Sequence, residues 1–228
     1  MKEVKHIFFD LDHTLWDYDR SAQETLSEIH EMLDLQDDQV TKRELVDTFY
    51  KVNDNLWHLY NHGKIDREYI KKSRFKEIFA KVGADTSYSP KASEYFLHHC
   101  SLKPYLIEDS LVVLNYLAER YDLHIITNGF TDSQNNKLSS SGIADFFNVV
   151  VTSESTGSKK PSPEIFHHSL IEAGALHSDS VMIGDNPRTD ISGAKAVGIY
   201  AILYDPSGRK RSLADVSIQS LMELIKLF

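Results

Sequence analysis

Two carboxylates, Asp10 and Asp12, follow the apolar run Ile7-Phe8-Phe9 with a single leucine between them. Other polar groups stand in comparable places. Thr127-Asn128-Gly129 follows Leu123–Ile126, Lys160 comes after the run Val149–Val151, and Gly184-Asp185 closes the run Val181–Ile183, with Asp190 five residues on. Clustered carboxylates repel one another unless a cation offsets them. Oxygen ligands from a few aspartates suit Mg²⁺, which keeps several waters and often binds a substrate phosphate as well. The lysine and the Thr/Asn turn would then hold phosphate oxygens. In that chemistry Asp10 is the natural nucleophile, because carboxylates form aspartyl-phosphates. Asp12 could protonate the leaving oxygen and later activate water, a role for which the crowded acidic surroundings would raise its pKa.

These residues converge only if the runs before them are parallel strands, since ligands of open α/β sheets sit beyond the strands' carboxyl ends. The pattern fits. The stretches 123–128, 148–153, 180–185 and 199–205 are apolar or β-branched and unbroken, and 4–10 has the same composition. Between them lie segments that open on Thr, Ser or Pro and end near Gly or Ala, as helices do. One such segment is PRTDISGAKAVG (187–198). Continuous apolar strands alternating with helices predict an α/β fold, a Rossmann-like parallel sheet with helices on both faces. Residues 17–100 differ. Ala22, Leu26, Ile29 and Leu33 form a helical stripe, Thr41-x-x-Glu44 reads as a capping box, and Asp66 can cap a further helix that Gly83 ends. The expected organisation is a core of residues 1–16 and 101–228 with an α-helical cap, 17–100, inserted after the first strand.

The chain has 228 residues and a net charge of −9. An acidic surface argues against nucleic-acid polymers and anionic membranes as partners. The run Arg209-Lys210-Arg211, after Pro206 and Gly208, reads as a solvated turn. The single cysteine, Cys100, permits no intramolecular disulfide and suits a reducing compartment. The first ten residues hold no signal-type apolar stretch, and no run approaches the roughly 20 residues of a membrane helix. A cytoplasmic location is expected. His98-His99-Cys100 and His167-His168 are adjacent residues that point in different directions on a helix, so they do not close a zinc tetrahedron.

Together the motifs resemble those of the haloacid dehalogenase superfamily. DLDHT (10–14) is similar to its first motif, D-x-D-x-T; TNG (127–129) to its second; the lysine of KKPSPEIF (159–166) to its third; and GDNPRTD (184–190) to its fourth, G-D-x-x-x-x-D. The resemblance implies Asp10 as nucleophile and Mg²⁺ ligand, and Asp12 as general acid/base that reaches the metal through its backbone carbonyl. It implies phosphoryl binding by Thr127 and Asn128, charge balance by Lys160, metal ligation by Asp185 and support behind the ligands from Asp190. His13 lies at a position where the family tolerates several residues. The inserted helices match the family's helical cap, whose residues select the substrate.

Within the superfamily, residues 53–65, 126–138 and 149–166 resemble the pyrimidine 5′-nucleotidase branch. Asn53, Trp57 and Tyr60 are the cap residues that would meet a base, although Trp57 and Tyr60 could equally be cap core. The expected function is Mg²⁺-dependent hydrolysis of a small-molecule phosphomonoester, a nucleoside 5′-monophosphate first of all. The alternatives are a sugar-phosphate phosphatase or a phosphomutase, then a 2-haloacid dehalogenase or a non-catalytic binding protein on the same fold.

Overall fold

The computed structural model describes residues 4–36 and 38–228. Residues 1–3 of the expected core segment, which also open the stretch read for a signal sequence, and residue 37 of the helical segment lie outside it. Among the described residues are six strands: β1 (His6–Phe9), β2 (Asp122–Thr127), β3 (Phe147–Thr152), β4 (Ser180–Gly184), β5 (Tyr200–Tyr204) and β6 (Val216–Ile218). All pair in parallel, in the order β3-β2-β1-β4-β5-β6. The sequence pattern locates five of them; β6, three residues in a polar stretch, carries no apolar run and escapes it. Ile7, Phe8 and Phe9 are all inaccessible to solvent, as are Val181, Met182 and Ile183. Successive strand side chains point to opposite faces, so both faces of the sheet are covered.

The helices are α1 (Tyr18–Met32), α2 (Lys42–Asn61), α3 (Arg67–Val82), α4 (Ser89–Cys100), α5 (Ser110–Ala118), α6 (Thr131–Ser140), α7 (Ser153–Thr156), α8 (Pro163–Glu172), α9 (Ser192–Ala196) and α10 (Leu224–Leu227). α8 lays Ile165, Phe166 and Leu170 into a core with Phe8, Ile126 and Met182. The segment 187–198 is not one regular helix. The Asn186 side chain accepts from the N–H groups of Arg188 and Thr189, a π-helical turn runs over Pro187–Ile191, and α9 follows it.

The chain forms two compact units, Met1–Tyr18 with Pro104–Phe228, and Asp19–Lys103. The first holds the sheet. The second is helical. Its α2 begins at the reciprocal capping box of Thr41 and Glu44, α3 begins where Asp66 accepts from the Tyr69 N–H at 2.8 Å, and Gly83 ends α3 in the left-handed conformation. In its core Phe49 meets Phe96 with the rings tilted and their centroids 4.9 Å apart. The buried Arg74 guanidinium lies 4.6 Å from the centroid of the Phe96 ring. No described helix is long and apolar enough to cross a membrane.

Candidate active site

The sheet reverses its strand order at β1, which has β2 on one side and β4 on the other. That crevice is where open α/β sheets take ligands, and the polar residues gather there. The Asp10 N–H donates to the Ile183 carbonyl at 2.9 Å, extending the β1–β4 ladder by one residue. Leu11 then turns into the core, fully buried, while the N–H groups of Thr14, Leu15 and Trp16 all bond to its carbonyl. A leucine buried between the two carboxylates leaves both of them beyond the carboxyl end of β1.

Lys160 is buried, and its three ammonium hydrogens have three acceptors: Asp10 Oδ1 at 2.6 Å, the Ile126 carbonyl at 2.6 Å and Asp190 Oδ1 at 2.9 Å. Burial would push its pKa down, but Asp10 and Asp190 hold it above the usual lysine range. Asp190 also accepts from the Thr189 hydroxyl at 3.0 Å and, through Oδ2, from the Asn186 N–H at 3.0 Å. Gly184 makes room for it, since a Cβ there would stand 2.3 Å from Asp190 Oδ2.

One oxygen each from Asp10, Asp185 and Asp190 lie within 4.8 Å of one another. Burial, then the charges of Asp190 and Asp185, raise the Asp10 pKa well above its ordinary value despite Lys160. Asp185 is raised as well, by burial and by Asp190, against opposition from His13 and Lys210. Carboxylates crowded this closely, with hard oxygen donors only, fit a divalent cation, which relieves their repulsion. The residues present therefore fit Mg²⁺: Asp10 and Asp185 could hold it through their side chains, and Asp190 is paired with Lys160 beside them.

The Asp12 carboxylate stands apart from this cluster. It accepts from Lys137 Nζ through both oxygens, at 2.7 and 2.8 Å, and from Gln134 Nε2 at 3.0 Å. Burial works to raise its pKa, but the Lys137 charge and these hydrogen bonds more than offset that and hold it below the ordinary carboxylate value. The raised pKa expected of Asp12 is thus corrected: the acidic crowding falls on Asp10 and Asp185, and Asp12 has an ammonium of its own.

The second motif is also deployed differently from its bare residue types. The Asn128 side chain grips the main chain of Lys160, accepting from its N–H at 2.7 Å and donating to its carbonyl at 2.9 Å. Thr127 Oγ accepts from the Gly129 N–H at 3.0 Å and from Gln134 Nε2 at 2.9 Å, which leaves its own hydrogen to give. Asn53, Trp57 and Tyr60 lie along one face of α2, in the helical unit. Asn53 is buried and its Oδ1 accepts from Arg74 at 3.2 Å, Tyr60 is buried, and half-buried Trp57 meets it edge to face.

Three residues of the site are not found by the motifs. Gln134 and Lys137 are the buried polar residues of α6, a helix with no apolar stripe, and that is a readable signal. Lys210 gives none. A basic run after Pro and Gly is ordinary solvated sequence, yet Lys210 Nζ donates to the Asp185 carbonyl at 2.6 Å.

A family model for haloacid dehalogenase-like hydrolases matches residues 7–204. The pyrimidine 5′-nucleotidase PynA of Streptococcus pneumoniae is 31% identical over 205 residues, covering 89% of this chain and 84% of that protein. The pyrimidine 5′-nucleotidase YjjG of Escherichia coli is 28% identical over 225 residues, with 97% and 96% covered. The crystal structure of the HAD-hydrolase YfnB of Bacillus subtilis superposes with a TM-score of 0.89 over 99% of both chains at 23% identity, a likeness of fold.

Proposed function

The chain belongs to the haloacid dehalogenase-like hydrolase family, and we propose that within it this protein is a Mg²⁺-dependent phosphomonoester hydrolase working through an aspartyl-phosphate on Asp10. The observation that carries the reading is the pairing at the end of β1. Asp10 is locked to a buried lysine, and a second carboxylate, Asp12, lies two residues on with a separate set of partners.

Asp10 attacks phosphorus with the carboxylate that Lys160 orients, and the P–O bond to the leaving group breaks. Asp12 gives that oxygen a proton, then takes one from the water that cleaves the aspartyl-phosphate, which frees phosphate and restores Asp10. Thr127 donates its hydroxyl hydrogen to a phosphoryl oxygen, and Asn128 keeps Lys160 in place. Mg²⁺ would be held by Asp10, the Asp12 carbonyl and Asp185, and would supply neutralisation of negative charge there. A metal-free dehalogenase has no need of an acid two residues after its nucleophile.

We assign catalysis to residues 1–16 and 101–228 and substrate choice to 17–100. Nucleoside 5′-monophosphates, pyrimidines before purines, are the proposed substrates. Two relatives named as pyrimidine 5′-nucleotidases, matched over most of this chain, support that choice. Trp57 would stack on the base, and Asn53 would recognise it through its amide N–H groups, its oxygen being committed to Arg74.

The test is phosphate release from thymidine, uridine and adenosine monophosphates beside glucose and glycerol phosphates, with Mg²⁺ and with excess EDTA, for the wild type and Asp10→Asn. EDTA and Asp10→Asn should each abolish turnover, and pyrimidine nucleotides should have the highest kcat/KM. Full turnover in EDTA, or wild-type kcat in Asp10→Asn, would sink the mechanism. Sugar phosphates ahead by tenfold would sink the substrate assignment alone.

A further inference from the structure

Lys210 is remote in sequence from every motif of the site, on the loop after β5, yet it reaches Asp185 twice: the carbonyl at 2.6 Å and Oδ2 at 3.2 Å. The approach is built by the main chain. Asp205, buried at the end of β5, accepts from the Ser207 N–H at 3.1 Å, the Ser207 hydroxyl at 2.6 Å and the Lys210 N–H at 2.6 Å. The loop is wound round one carboxylate, so the Lys210 backbone is fixed before its side chain extends.

The charges of the site explain what that side chain is for. Lys160 spends its hydrogens on Asp10, Ile126 and Asp190. Asp185 is the carboxylate of the cluster that Lys160 leaves to another cation, and Lys210 is that cation. A divalent ion ligated by Asp185 therefore meets an ammonium on the same carboxylate. Like charges at such range oppose each other, while the hydrogen bond to the Asp185 carbonyl lets Lys210 stay docked when the carboxylate turns to a metal.

We propose that Lys210 is the resident counter-cation of Asp185, holding that carboxylate in position when the metal is away and weakening the metal's binding when it arrives, so that the ion exchanges readily. Lys210 is on this view a positioning residue. The proposal rests on the assignment of Asp185 as a metal ligand made above.

Mg²⁺ binding to the full chain, without substrate, is measured by isothermal titration calorimetry for the wild type, Lys210→Met and Lys210→Arg. Lys210→Met keeps the apolar stem and loses the charge; it should bind Mg²⁺ about threefold to thirtyfold more tightly at low salt. The Lys210 side chain is 36% exposed, so salt reaches it, and the advantage should shrink in about 0.5 M KCl. Lys210→Arg should stay close to wild type. A purely structural lysine gives the opposite, weaker binding in Lys210→Met and a difference indifferent to salt. Equal or weaker binding by Lys210→Met overturns the proposal. If no protein binds Mg²⁺, the proposal falls together with the metal assignment; if all bind alike, it falls alone. Should Lys210→Met not fold, Lys210→Gln makes the same comparison.

Discussion

Asp12 shows how a side chain's neighbours decide its chemistry. Held by Lys137 and Gln134, it is ready as a base and must gain a proton to serve as an acid. Asp12→Asn keeps the shape and loses proton transfer, so kcat for a nucleotide should fall about 10²–10⁴-fold. With p-nitrophenyl phosphate, whose leaving group needs no proton, the first step survives and phosphoenzyme should accumulate. Rapid-quench kinetics would show a burst; its absence would place the proton transfer elsewhere. His124 carries a second prediction. Its ring is buried on β2 against Phe8, its Nδ1 has no hydrogen-bond partner among the described residues, and burial, then His6, push its pKa down to about 4. The fold favours the neutral ring, so its contribution is intact above pH ~6.5 and is lost as pH falls toward 4, by up to ~1.4 kcal/mol per pH unit. Urea titrations of wild type and His124→Gln from pH 7.5 to about 4.5 should show the wild type losing stability faster; parallel curves would refute it. At this scale the sequence is legible in identity and silent on orientation. Asp10, Lys160 and Asp190 can be named from strand ends, but nothing local says that Asn128 will turn to the Lys160 main chain.

Elements were easier to read where their cause is local. The capping box of α2 and the Asp66 cap of α3 are written in residues three apart, and the strands β1 to β5 in unbroken apolar runs. β6 is legible only through its neighbour, since Val216 pairs with Ile202 by virtue of a sheet already formed. The turn at 187–191 depends on the Asn186 side chain and could not be read from periodicity. Lys210 belongs with these: its place follows from the loop that Asp205 winds, which no spacing announces. The junction of β4 with the turn at 187–191 gives a prediction at this scale. A Cβ on Gly184 would lie 2.3 Å from Asp190 Oδ2 and 2.7 Å from Asp190 Cβ, so Gly184→Ala must displace Asp190 from Lys160. The expected cost is about 1–3 kcal/mol of stability, with kcat reduced as well. Unfolding midpoints and phosphate release check it, and a variant with both unchanged would show that the junction yields.

For the molecule as a whole, a ligand that binds only the folded chain stabilises it by mass action. Mg²⁺ at about a hundred times its Kd should add ~2.7 kcal/mol, a rise of several degrees in Tm, and Asp185→Asn should lose most of that rise. Differential scanning calorimetry with Mg²⁺ or EDTA decides it, and identical traces would refute it. The register of β1 has a further consequence, in time. His6 pairs with Asp122 on one side and with Ser180 on the other. A chain made N-terminus first therefore carries the strand that leads to Asp10 unpaired through most of its synthesis, as an Ile-Phe-Phe run with both edges open. α2, α3 and α4 pack successively on one another and can fold while still close to the ribosome, but the sheet's centre must wait for β4 to emerge. Non-local pairing of this kind is slow and leaves apolar edges exposed meanwhile, so the yield of active protein should depend on how well a nascent chain is shielded before its middle strand is enclosed.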